Sequence, residues 1–205
     1  ASINDNIGLV ANSPGNTFTV ENDVGIRFST TTAIQSLSLE AAASLRFIDR
    51  PSGGMTSDFE DPEYRLNYIR EGSRSRLTFD ARYVKANLLF TDPLDGGVDD
   101  GLDLDAIDGT RTSRDLGLLI ETGIDTPLGL NFEARSARRS YSETVDPDLF
   151  DIDRDTLTAT AIMRISPVMT GTLYSSRQDP SALALLQTQL HSTTLSFGLG
   201  YELSA

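Results

Sequence analysis

Residues Ala33–Phe47, AIQSLSLEAAASLRF, change character at almost every step. Leu37, Leu39, Ala41, Ala43, Leu45 and Phe47 fall on one side of an extended chain. Ser36, Ser38, Glu40, Ala42, Ser44 and Arg46 fall on the other. Successive side chains of a strand point to opposite faces, so the segment reads as a strand with one apolar and one polar wall.

The same pattern spreads outward in both directions. Thr17–Ser29 sets Phe18, Val20, Val24, Ile26 and Phe28 against Glu21, Asp23 and Arg27. Glu63–Ile69 sets Tyr64, Leu66 and Tyr68 against Arg65 and Asn67, and Arg76–Lys85 sets Leu77, Phe79, Ala81 and Tyr83 against Thr78, Asp80 and Arg82. Asp115–Ile124, Leu128–Arg135, Thr156–Ile165 and Thr194–Leu203 alternate likewise. Met169–Arg177 is ambiguous in phase, because Gly171 and Thr172 flatten both faces, and Ser2–Ala11 carries the faintest strand signal. About ten strands are expected, several near the ~9–11 residues that cross a bilayer at a tilt.

The links between strands alternate in length. Ser29–Ile34, Glu71–Ser75, Asp125–Gly129 and Ser166–Met169 are short, whereas Ile48–Asp61, Thr91–Thr110, Ser142–Asp153 and Asp179–Gln189 are long. Tight turns at one end and long loops at the other are the plan of an outer-membrane β-barrel. Alternation alone fits a soluble antiparallel sheet with one wet face equally well. Two features favour the membrane. Opposite charges lie close along the polar faces (Glu40 with Arg46, Asp80 with Arg82, Glu133 with Arg135). The apolar faces are nearly free of charge at mid-strand, where a lipid-facing charge costs ~2–4 kcal/mol. The fold expected is an all-β, antiparallel up-and-down meander, a transmembrane β-barrel or a contiguous arc of a larger one, with residues 1–205 as one domain or segment. Leu37, Leu39, Leu45, Phe79, Phe132, Leu157, Leu195 and Phe197 are expected to face lipid. Glu40, Arg65, Asp80, Arg82, Glu133, Arg135 and Arg164 are expected to face the lumen.

Composition narrows the function classes. A hydrophobic fraction of 39% suits a barrel, since each strand gives only half its residues to lipid, and no run approaches the ~18 apolar residues of a membrane helix. The absence of cysteine removes disulfides, thiolate metal sites and a cysteine nucleophile. A formal charge of −13 disfavours nucleic acid, whose phosphates need a basic surface. His191 is the only histidine and reads as a surface residue, with no second ligand or triad partner. Glu121 and Glu133 on neighbouring strands mimic a glycosidase pair, but a charge-lined lumen supplies such pairs by coincidence. No enzyme is expected.

The link Thr91–Thr110 holds seven aspartates and no Lys or Arg. It reads first as a solvated loop. Asp99, Asp103, Asp105 and Asp108 are the candidate ligands for a weakly bound calcium ion, although their spacing misses the EF-hand pattern by one residue. Asp146, Asp148, Asp151, Asp153 and Asp155 form a second acidic stretch, read as a solvated loop. No other cofactor is expected.

The segments Phe59–Tyr68 (FEDPEYRLNY) and Arg70–Phe79 (REGSRSRLTF), the turns Thr126–Gly129 and Ser166–Val168, and the ending Leu199–Ser204 resemble the outer-membrane porin-like β-barrel proteins of alphaproteobacteria. The resemblance implies a Gram-negative outer-membrane location, contact with lipid and small solutes, and a barrel longer than this chain. It supplies no catalytic residues. A porin-like passive channel for small solutes is the first functional expectation. The alternative is a structural or docking surface protein whose long acidic loops meet a protein partner.

Overall fold

The computed structural model describes residues 2–4, 16–50, 54–88, 109–144, 149–166, 168–183, 188–189 and 192–201. They form one antiparallel sheet, and no helix occurs among the described residues. Its strands are β1 (Ser2–Asn4), β2 (Thr17–Thr31), β3 (Gln35–Arg50), β4 (Gly54–Glu71), β5 (Ser75–Asn87), β6 (Thr110–Thr122), β7 (Leu128–Ser142), β8 (Asp151–Ser166), β9 (Met169–Leu183), β10 (Thr188–Gln189) and β11 (Ser192–Tyr201). Each pairs with its predecessor from β2 to β9, while the short β10 and the longer β11 both lie along β9. Nine strands are long; β1 and β10 are short additions to the rows beside them. The sheet is open: among the described residues β11 pairs with neither β1 nor β2.

The strands run further than hydrophobic alternation suggested. The expected long loop Ile48–Asp61 is instead a hairpin: β3 and β4 pair as far as Arg50 opposite Gly54. A β-bulge explains why the alternation hid it. Ala42 lies opposite Glu63 and Ser44 opposite Glu60, so Asp61 and Pro62 together face the single residue Ala43. Asp61 takes a φ of 53°, and proline has no N–H to give to the ladder; a bulge accommodates both. The extra residue reverses the parity of β4, and a strict period of two is lost across it. Strand β6 begins at Thr110 and β7 ends at Ser142, at the expected loop bounds, whereas β8 begins at Asp151 and β9 continues to Leu183, shortening two of the expected loops. The remainder of the acidic loop, with Asp99, Asp103, Asp105 and Asp108, lies outside the described residues, as does His191.

At the opposite end four tight turns link β2–β3, β4–β5, β6–β7 and β8–β9. Successive turns are joined by backbone hydrogen bonds: Glu71 N–H to the Ile34 carbonyl at 2.8 Å, Ile124 to Arg74 at 3.1 Å, and Arg164 to Pro127 at 2.8 Å. The third turn is the most constrained. Gly123 has a φ of 66°, and a Cβ there would lie 2.1 Å from the Leu128 carbonyl oxygen. Thr126 closes it by donating its N–H to the Gly123 carbonyl at 3.1 Å.

Register carries the two walls of Ala33–Phe47 across the whole sheet. Phe28 stands opposite Leu39, Leu39 opposite Leu66, Leu66 opposite Ala81 and Ala81 opposite Leu116. Phe132 stands opposite Ala159, and Phe197 opposite Leu173. No second layer covers this apolar face among the described residues. Ile26 is 73% exposed, Leu195 72% and Phe197 69%, values that a packed core never shows. The buried apolar residues Ile48, Ala86, Leu88 and Leu149 lie instead toward the long-link end, away from the apolar face.

Candidate functional site

Among the described residues, charged side chains converge on the polar face. Its axis is a single in-register row crossing eight strands: Arg27, Glu40, Arg65, Arg82, Asp115, Ala137, Arg154 and Pro180. One row toward the tight turns lie Ser38, Asn67, Asp80, Gly117 and Arg135. Opposed residues on neighbouring strands sit ~4.5–5.5 Å apart at Cα, close enough for long polar side chains to meet.

Of the residues expected to line a lumen, Glu40, Arg65, Asp80, Arg82, Glu133 and Arg135 share this face by register. Arg164 lies on it too, ten residues from Arg154, but its guanidinium Nη1 donates to the Thr126 carbonyl at 2.7 Å and braces a tight turn. The apolar set from Leu37 to Phe197 occupies the reverse face.

The ion pairs differ in part from those suggested by proximity along the chain. Glu133 pairs with Arg135 as read from sequence. Glu40 pairs with Arg27 across the sheet, not with Arg46. Arg82 turns to Glu63, Nε to Oε1 at 2.9 Å, and the same oxygen accepts from Arg65 Nε at 2.7 Å. Asp80 lies over Gly117, where a Cβ would come within 2.5 Å of its Oδ1, so the missing side chain at Gly117 makes room for the carboxylate.

Sequence reasoning missed the most tightly held charge. Arg46 is 2% exposed and is the largest fully buried side chain among the described residues. Its Nη2 donates to Glu21 Oε1 on β2 and to Asp61 Oδ2 on β4, each at 2.7 Å, and its Nη1 to Glu60. Asp61 then accepts the backbone N–H of Asn87 on β5 through Oδ1 at 2.6 Å. One guanidinium and one bulge carboxylate therefore tie four strands together. A sequence signal existed, in the FEDPE run of Phe59–Glu63, but it does not identify the arginine that answers it.

Among the described residues no group of His, Cys, Asp and Glu is arranged to hold a metal ion. Along this open surface the described residues offer charge and hydrogen bonding. No family model, curated protein or solved structure matches the chain.

Proposed function

We propose that this chain forms the wall of an outer-membrane β-barrel, a porin-like passive channel for small solutes with the polar face toward the lumen. The observation that carries the reading is the pairing of two opposite surfaces on one sheet: an uncovered apolar face and a charged face in register behind it. In water the apolar face would be a large sticky patch; in lipid it is already solvated.

The stagger of the tight turns supports the same reading. Along the row from Arg27 to Pro180, the first turn begins at Thr31, four residues from Arg27, and the fourth at Ser166, twelve residues from Arg154. That drop of eight residues is ~27 Å along the strands, over six strand spacings of ~4.8 Å each. If the turns share one membrane surface, the strands tilt by about 40°, within the ~35–45° of outer-membrane barrels. At that tilt the apolar run Leu37–Phe47 on β3 spans about 26 Å of depth, against an apolar band of ~25 Å in such barrels. The open edges β2 and β11 need partners in lipid, where unpaired backbone groups cost several kcal/mol each. An arc of a larger barrel meets that need.

Reconstitution into planar bilayers is the direct test. Discrete conductance steps are expected, and their ionic selectivity should change when Glu40, Arg65 or Arg82 is neutralised. A chain that stays monodisperse and β-rich without detergent, and conducts nothing, would replace the channel with the docking reading.

A further inference from the structure

A furrow of about 560 Å³ crosses the apolar face from β2 to β6, with Ile26 and Phe28 at one end and Arg114 at the other. Its hollow has a cause in the register. Ala41 stands between Ile26 and Tyr64, and Ala81 between Leu66 and Leu116, so two short side chains lie among long ones. Tyr64 and Tyr83 stand opposite each other in the wall, with ring centroids 5.9 Å apart.

Arg114 shares the parity of Leu116, Leu118 and Ile120, so a cation stands on a face that is otherwise apolar along this strand. It is exposed, and its guanidinium lies 5.9 Å from the centre of the Tyr83 ring. Arg138 on β7 stands directly opposite it, exposed as well, and its Nε comes no closer than 4.0 Å to Asp153, too far for a hydrogen bond. Like charges directly opposite each other destabilise a sheet, and an anion seated between them reverses the sign. Guanidinium forks match phosphate oxygens, and tyrosine rings suit the boundary between headgroups and acyl chains.

The slant of the furrow gives it polarity. Arg114 lies eight residues along β6 from Thr122, at the tight-turn end, whereas Phe28 lies three residues along β2 from Thr31. With the turns at one level and the strands tilted by about 40°, the furrow descends about 13 Å from its cationic end into the apolar band. An occupant with an anionic head and an apolar tail fits that gradient.

We propose that the furrow binds one anionic membrane lipid, its phosphate between Arg114 and Arg138 and an acyl chain lying along the furrow toward Phe28. The inference rests on the membrane placement in the reading above, and not on conduction.

Native mass spectrometry of the full chain released from nonionic detergent micelles tests it, with phosphatidylglycerol and phosphatidylcholine of the same acyl chains supplied in equal amounts. One phosphatidylglycerol per chain should be retained, at least tenfold in preference to phosphatidylcholine. Arg114→Gln with Arg138→Gln should abolish the preference, Arg114→Lys with Arg138→Lys should keep part of it, and Arg74→Gln in a tight turn should leave it unchanged. Ala41→Leu keeps both cations and fills the furrow, so it should weaken retention as well. Far-UV circular dichroism identifies any variant that fails to fold, in which case Arg114→Gln alone and Ala41→Leu carry the test. Equal retention of the two lipids, or retention indifferent to the arginines or to Ala41→Leu, would overturn the site. Displacement of the lipid by inorganic phosphate would assign the arginines to a free anion, and a second copy of the chain in place of lipid would assign the face to self-association; either overturns the proposal. Retention without conductance would fault the channel and leave the site standing, whereas conductance without retention would fault the site alone.

Discussion

Arg46 shows how one residue can hold a wall with little conventional core. Its guanidinium is buried, whereas the side chains of Glu21, Glu60 and Asp61 keep between 21% and 42% exposure. Removing one partner of a fully buried ion pair costs ~3–5 kcal/mol. Because these carboxylates remain partly solvated, Arg46→Gln should cost somewhat less, about 2–3 kcal/mol, read as a lowered urea midpoint of the folded chain. Asp61→Asn separates charge from geometry. Asparagine tolerates the φ of 53° and its amide oxygen can still accept from Asn87, but its NH2 then faces Arg46, so the ion pair and hydrogen bond to Arg46 are lost while Glu21 and Glu60 still hold the guanidinium, and the midpoint should fall less than for Arg46→Gln. Gly117→Ala is a third test at this scale. Its methyl group would displace the Asp80 carboxylate, a flexible group, so the fold should survive, and if the chain forms the proposed channel its ion selectivity should shift.

For the strands, the two faces predict opposite tolerance. If the sheet spans a membrane as proposed, Ile26→Arg places a charge in the apolar band and should destabilise it by ~2–4 kcal/mol. Ser38→Arg on the polar face should change stability by less than ~0.5 kcal/mol. Urea unfolding from lipid vesicles measures both. In the third turn, Gly123→Ala meets a positive φ and the Leu128 carbonyl together, and should cost more than ~1 kcal/mol. The faces were legible in the sequence because successive side chains of a strand point to opposite sides, which imposes a period of two. Strand ends were not. Beyond Arg135, residues 136–141 (SARRSY) put polar groups on both faces, so backbone pairing continues where the side-chain signal stops. The bulge at Asp61 and Pro62 hid the far half of β4 by reversing its parity. Ion-pair partners were legible only in part, since residues far apart in sequence meet across strands, as Arg46 does with Glu21, 25 positions away.

As a whole, the molecule exposes 14053 Å², whereas a compact monomer of 22.3 kDa exposes about 9,400 Å². Among the described residues the apolar face of the sheet is uncovered, so the isolated chain should need detergent to stay monodisperse. If the long links face outward, protease added to intact cells should cut within Thr91–Thr110 and spare the turn Asp125–Gly129; the reverse pattern would invert the sidedness. The stagger of the tight turns bears on calibre as well as slant. Tilt accrues hairpin by hairpin, so it is the same in a narrow or a wide closed wall. Each hairpin adds about 13 Å of perimeter at a 40° tilt. Bore is therefore a count of hairpins, and deleting one whole hairpin should shrink the hole while the depth of its greasy belt stays the same.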